Sequence, residues 1–299
     1  MNQDTLIIGF PEYADQTEGL ARAADLPFTI LDIHHFPDGE SKITLPGLLP
    51  KQVILVRSLD HPNDRLVELI LAAAGARQLG AEHISLVAPY LCYMRQDKAF
   101  HAGEVVSQPV IGSCLASHFD ALLTVDAHLH RVHSLSDAVP VSPAINLTAT
   151  DPMAHFLQDR VDAPYLIGPD GESEQWVAAI ASHYGFDYAV AEKERLGDRQ
   201  VKIRMPDCGY ENRNLVLVDD VASTGRTLLE AARLLQAHRP ASISVLVTHA
   251  LFIGDAQERL TRAEVHNIWS CDAIPHSSNA VPLAGLLAGA LPALLTRNN

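Results

Sequence analysis

Leu215-Val216-Leu217-Val218 is an unbroken apolar run that ends on two adjacent carboxylates, Asp219 and Asp220. A short turn of small residues follows, Ser223-Thr224-Gly225, and a helical pattern sets in at Thr227. Such a run, bounded by turn residues, suits a strand buried on both faces, and strands of that kind belong to parallel sheets covered by helices. They present ligands at their carboxyl ends, where the next helix starts. There Ser223, Thr224, Gly225 and Thr227 offer hydroxyls and backbone N–H groups to a phosphate at the positive helix end. The two carboxylates would repel a phosphate. They suit a vicinal diol, held by hydrogen bonds directly or through Mg²⁺ and water. A diol together with a phosphate describes a sugar phosphate. A plainer reading, in which these residues only cap the helix, accounts for any one of them but not for the run.

The rest of the chain repeats the strand–helix alternation. Strands are expected at Thr5–Gly9, Phe28–His35, Val53–Val56, Ile84–Ala88 and Ala121–Val125. Helices are expected at Tyr13–Ala24, after a capping Asn63, and at Val106–Ser117. Val139–Asn146, with two prolines, reads as a connection. The pattern then restarts with strands at Tyr165–Ile167, Tyr188–Ala191 and Ile243–Thr248, and helices at Glu174–Tyr184, Thr227–Ala237 and from Asp255. A Leu/Ala-rich helix is expected at Leu283–Leu295. The fold class is therefore α/β, with two similar domains, each a largely parallel sheet flanked by helices. The expected division is residues 1–143 and 144–280, with 281–299 packing back on the first domain. No residue-level repeat connects the halves.

Composition narrows the partners. The 299 residues carry 22 Lys+Arg against 36 Asp+Glu, a net charge of −14, and no basic cluster. Nucleic acid and anionic membrane are thereby disfavoured, whereas a local phosphate pocket is not. No signal peptide or bilayer-length apolar run is visible, and four widely spaced cysteines form no C-x-x-C pair. A cytoplasmic protein with reduced thiols is the expectation.

Other polar clusters also follow expected strands. His35-Phe36-Pro37-Asp38-Gly39-Glu40 is a turn signal that also places an aromatic face beside two acceptors, as a purine requires. Arg95 and Gln96, within Tyr93–Lys98, can meet phosphate oxygens, or form part of a solvated loop. Asp126-Ala127-His128 closes a strand; His128 and His130 lack the further ligands of a zinc site. Asp170, in Gly168–Gly171, could face Mg²⁺ or simply make a turn. Glu192-Lys193-Glu194-Arg195 reads as a solvated hairpin or as an arm carrying Lys193 and Arg195 over a phosphate.

In order, FPDGE, PYLCYMRQDK, VDAH, GPD, EKER, VDDVASTGRT and THALFIGDAQERL resemble the ribose-phosphate pyrophosphokinase (PRPP synthetase) family along nearly the whole chain, with a type I phosphoribosyltransferase-like fold. The resemblance implies an enzyme that transfers the diphosphoryl group of ATP to O1 of ribose 5-phosphate, using Mg²⁺ and giving PRPP and AMP. Phe36, Asp38, Gly39 and Glu40 would form an adenine loop that reaches a neighbouring site in a homo-oligomer. Arg95 and Gln96 would contact ATP, with Asp97 and Lys98 close by, and His128 and Asp170 would support the metal. Lys193 and Arg195 would be the catalytic pair. Asp219 and Asp220 would hold the ribose hydroxyls, and Ser223, Thr224, Gly225, Arg226 and Thr227 the 5-phosphate. A phosphoribosyltransferase that consumes PRPP, or a non-catalytic regulatory homologue, are the alternatives. The chain departs from the family where Ser223 replaces the common Asp, where Arg226 replaces a second Gly, and over Glu172–Trp176.

Overall fold

The computed structural model describes residues 4–129, 131–195, 201–206 and 208–295, at backbone level only for 193–195 and 201–203. Two compact units divide the chain: residues 1–147 with 283–299, and residues 148–282.

The first unit runs β1 (Thr5–Gly9), α1 (Ala14–Ala24), β2 (Phe28–Ile30), a hairpin of β3 (Asp32–His35) and β4 (Ser41–Thr44), and β5 (Gln52–Val56). It continues with α2 (Pro62–Gln78), β6 (His83–Val87), α3 (Ser107–Ala116), β7 (Ala121–Val125), α4 (Leu135–Ala138) and β8 (Ala144–Leu147). Six parallel strands lie in the order β2-β1-β5-β6-β7-β8. The central strands are buried along their length, as a sheet covered on both faces demands. Leu66, Leu69, Ala72, Ala73 and Ala76 recur on one side of α2 and share a core with Val53, Leu55 and Leu86.

The second unit runs α5 (Thr150–Arg160), β9 (Pro164–Gly168), α6 (Glu174–Tyr184), β10 (Asp187–Val190), a hairpin of β11 (Glu192–Arg195) and β12 (Val201–Arg204), and β13 (Asn214–Ala222). Then come α7 (Arg226–Gln236), β14 (Ser242–Ala250), α8 (Ala256–Arg262), β15 (Asn267–Cys271) and β16 (Asn279–Val281). Its sheet order, β10-β9-β13-β14-β15-β16, repeats the first unit strand for strand, with a hairpin inserted at the same place. The duplication that is invisible in the residues is therefore plain in the topology. The last helix, α9 (Ala284–Leu295), returns to the first unit, packs on α1 and buries Leu287, Leu291 and Leu294.

Several sequence expectations change. Phe28–His35 is not one strand: the chain breaks at Leu31, and β3 leaves the sheet to pair with β4. Val139–Asn146 is not wholly a connection, because Ala144–Leu147 pairs with β7 as the sheet's edge strand. That strand moves the division from residue 143 to residue 147, and pairing of β16 with β15 keeps Val281 in the second unit. Asn63 is not the cap of α2. His61 holds that place without a side-chain cap, Pro62 opens the helix, and the Asn63 amide oxygen accepts from the Tyr93 hydroxyl.

Candidate functional site

In each unit the chain lays its second strand on one side of the first and, after the hairpin, its third strand on the other. The carboxyl ends of the first and third strands thus flank a topological switch point, where open α/β sheets bind ligands. In the second unit these are the ends of β9 and β13. Gly168 closes β9, and a Cβ there would lie 2.5 Å from Ser173 Oγ, so the following turn can fold back only over glycine. Asp170 caps that turn: its Oδ1 accepts from Glu172 N at 3.1 Å. The plain turn reading of Asp170 is thus correct in itself, and the carboxylate is also buried at the switch point.

Pairing of β13 with β9 is recorded from Asn214 to Leu217, but β13 runs on beside β14 to Ala222. Asp219 and Asp220 lie on this overhang, inside the strand rather than just beyond it. Asp220 is buried and Asp219 half-buried, and Asp219 Oδ1 accepts from Asp220 N at 3.0 Å. The Asp219 carboxyl is held well above the ordinary carboxylate range, first by burial, then by the charges of Asp220 and Asp170. Two further acids of this unit therefore act on Asp219 at one end of one sheet.

The segment after them is a shaped loop. Ala222 O accepts from Phe252 N at 2.8 Å, Ser223 O from Ile253 N at 2.9 Å, and Thr224 O from Arg259 Nη2 at 3.0 Å. With its carbonyls engaged by the segment after β14, the loop turns into α7 through Gly225, at φ +65°. Helix α7 begins at Arg226, one residue earlier than the periodicity suggests. Thr224 and Arg226 are exposed and Ser223 and Thr227 half-buried, an open helix N-terminus of the kind that receives a phosphate. Sequence reasoning missed Arg259, whose anchoring of Thr224 is a tertiary contact; its only signal was its place in THALFIGDAQERL.

Lys193 and Arg195 lie on β11, register partners of Ile203 and Val201 on β12. The hairpin expected there is present; the two side chains and residues 196–200 lie outside the described residues.

The remaining candidates belong to the first unit. Phe36–Glu40 is the tip of the β3–β4 hairpin: Phe36 N donates to Glu40 O at 2.8 Å and Gly39 N to Phe36 O at 2.9 Å. Gly39 has φ +94°, the left-handed residue that closes such a turn. Phe36 is exposed, its ring edge-on to His34 at 4.8 Å, and Asp38 and Glu40 are exposed beside it. Arg95 is exposed on the loop after β6. Gln96 Oε1 accepts from Ser107 N at 2.8 Å and Ser107 Oγ at 2.7 Å, so its acceptor serves the start of α3 and its amide N–H₂ is the part suited to a ligand. Asp97 pairs with Arg131 at 2.5 Å, and Lys98 lies over the Phe100 ring. His128 is half-buried after β7, in a loop tied down by Ala127 N donating to Asn146 Oδ1 at 2.9 Å.

The first unit's own switch point is built with the opposite charge. Gly9 and Gly168 each close the first strand of their unit. Gly9 pairs with Val56, and one step beyond the Ile167–Leu217 pair Gly168 counts to Val218, so the next position is Arg57 in the first unit and Asp219 in the second. Arg57 is buried; it donates through Nε to Glu12 at 2.7 Å and through Nη2 to Glu68 at 2.5 Å. Arg65 adds ion pairs to Glu12 and Asp60. This crevice pairs its buried cation with two carboxylates, whereas in the second unit the charges of Asp220 and Asp170 act on Asp219.

Residues 6–118 match the N-terminal domain of ribose phosphate pyrophosphokinase, and residues 147–285 match the phosphoribosyl transferase domain. The ribose-phosphate pyrophosphokinase of Methanopyrus kandleri is 34% identical over 275 residues, spanning 91% of this chain and 93% of that protein. The chain belongs to the ribose-phosphate pyrophosphokinase family. The family's protein from Methanosarcina acetivorans is 30% identical over 292 residues, covering 96% of this chain and 99% of its own. The fold matches the crystal structure of phosphoribosylpyrophosphate synthetase from Mycobacterium smegmatis, with a TM-score of 0.83 and 18% identity over 98% of this chain and 99% of that one. No helix among the described residues is long and apolar enough to cross a membrane.

Proposed function

We propose that the chain is a ribose-phosphate diphosphokinase, which moves the diphosphoryl group of ATP to O1 of ribose 5-phosphate and releases AMP with PRPP. The observation that carries this reading is the second switch point, where two carboxylates on a strand overhang are followed by an open helix N-terminus. Asp219 and Asp220 grip the ribose diol, and Ser223–Thr227 receives the 5-phosphate. Thus fixed at both ends, the sugar presents O1 in line with the β-phosphorus, which supplies much of the rate by orientation. Lys193 and Arg195 meet charge developing on the β-phosphoryl and bridging oxygens. Arg95 holds triphosphate oxygens, Gln96 donates to the nucleotide, and Phe36 stacks on the base beside Asp38, Gly39 and Glu40.

His128 and Asp170 would support Mg²⁺. The repulsion that Asp219 meets from Asp220 and Asp170 is of the kind a divalent cation relieves. Among the described residues no three ligating side chains close on one point, which suits an ion held mainly by phosphates and water. When bound, it neutralises part of the triphosphate's charge and orients it. None of the four cysteines is in a disulfide, which fits a reducing, cytoplasmic setting. A homo-oligomer, in which the Phe36 loop serves a neighbouring site, belongs to the same reading.

A phosphoribosyltransferase accounts for residues 147–285 but leaves 6–118 without a role. Incubation with ATP, Mg²⁺ and ribose 5-phosphate should yield AMP and PRPP together. AMP released without the sugar would point to another hydrolase or transferase.

A further inference from the structure

The ion-pair network at the first unit's switch point reaches beyond the switch point. Glu68, on α2, has a side chain only 4% exposed and divides its two oxygens between two tasks. Oε2 accepts from the buried Arg57, itself held by Glu12. Oε1 meets His35 Nε2 at 2.8 Å and accepts from Ser41 Oγ at 2.8 Å. His35 and Ser41 are register partners on β3 and β4. They form the last rung before the Phe36–Glu40 turn, so one carboxylate oxygen clamps both legs of the hairpin where the loop begins.

Beyond that rung the hairpin borders an open cavity of about 720 Å³, shared with Asn63, Val67 and Leu71 of α2. Strand alternation sends His35 to Glu68 while His34 and Phe36 share the other face, where their rings touch. The carboxylate stays ionised: burial opposes its charge, but bonds from Arg57, Ser41 and His35 outweigh this and lower its pKa.

We propose that Glu68 is a positioning residue for the nucleotide, fixing the Phe36–Glu40 loop to the buried Arg57 through both legs of the hairpin. The proposal rests on the reading of that loop as the base-binding element, whichever protomer's nucleotide it serves. Glu68 touches no substrate; its effect is transmitted through His35 and Ser41.

The test compares Glu68→Gln, Ser41→Ala and Phe36→Ala in the full-length protein, measuring KM for ATP and for ribose 5-phosphate and the preference for ATP over GTP. Glu68→Gln should raise KM for ATP about tenfold, the scale of a charge-assisted hydrogen bond. KM for ribose 5-phosphate should stay within about twofold, because its binding groups lie on other elements. Ser41→Ala, which removes one hydroxyl and leaves the Arg57 pairs intact, should give a smaller rise in the same direction and carries the test if Glu68→Gln does not fold. Both should shift the ratio of KM for ATP to KM for GTP in the same direction as Phe36→Ala shifts it, and a general loss of stability would not. If Phe36→Ala raises KM for ATP while Ser41→Ala and Glu68→Gln leave it unchanged, the clamp is refuted and the loop keeps its role. If Phe36→Ala has no effect on ATP, the loop reading fails and the clamp fails with it.

Discussion

Asp219 carries a carboxylate where the fold itself opposes the charge. Its carboxyl is raised by burial and by Asp220 and Asp170, so the folded state binds a proton more readily than the unfolded chain does. Between the unfolded value of 3.8 and the raised folded value, stability therefore falls as pH rises. Asp219→Asn keeps the oxygen that accepts from Asp220 N and removes the charge. We expect it to raise the melting temperature of the ligand-free protein by about 2–4 °C, the shift that accompanies roughly 1 kcal/mol in a domain of this size. The same variant should use ribose 5-phosphate poorly, with ATP binding much less affected. An unchanged Tm, checked by calorimetry at pH 7, would show that the acids do not oppose one another. Lys193→Ala should lower kcat by about 10²–10³, the scale of one preorganised electrostatic contact. Wild-type turnover would remove Lys193 from the chemistry.

At the scale of elements, sequence was a good guide wherever a strand or helix buries a regular face. Glu174–Tyr184 and Ala121–Val125 have the bounds their patterns suggest. It was a poor guide where the partner decides the structure. Nothing local in Phe28–His35 shows that the chain changes sheets at Leu31, and the prolines around Ala144–Leu147 disguise an edge strand. The same holds for the site. Asp219–Thr227 was legible because strand, turn and helix start follow in one run. Arg57, Glu68 and Arg259 were not, because Arg57 reaches Glu12, Glu68 reaches His35 and Arg259 reaches Thr224 across long stretches of sequence. Helix α3 offers a test of packing that periodicity does not show. A Cβ on Gly112 would overlap the Ala138 carbonyl oxygen at the end of α4, a backbone atom that cannot swing away. Gly112→Ala should therefore destabilise the protein by about 1–3 kcal/mol, the range for overpacking, despite the better helix propensity of alanine. A Tm at or above that of the wild type would show that α4 yields.

For the whole molecule, two units of one topology have taken different electrostatic courses. The first seals its switch point with Arg57 between Glu12 and Glu68, and the second sets Asp219 against the charges of Asp220 and Asp170. The first unit also depends on a helix that follows the second in the chain. Removing residues 283–299 would expose the surface under Leu287, Leu291 and Leu294 and break the bond from His83 Nε2 to Leu294 O. At about 1.5–3 kcal/mol for each buried leucine, the loss is comparable to a domain's net stability. Both tryptophans, Trp176 and Trp269, lie in the second unit. Truncation should thus lower the unfolding midpoint followed by far-UV circular dichroism far more than that followed by tryptophan fluorescence. Equal shifts in both would mean that α9 supports the two units alike.

The placement of α9 also has a consequence for biosynthesis. A ribosome delivers residues 148–282 between the two parts of the first unit, so the second unit can complete its sheet while the earlier one still lacks a helical cover. The nascent N-terminal sheet must wait, with the surface beneath α9 bare, until translation has passed Leu295. During that interval it is the part of the chain most in need of a chaperone.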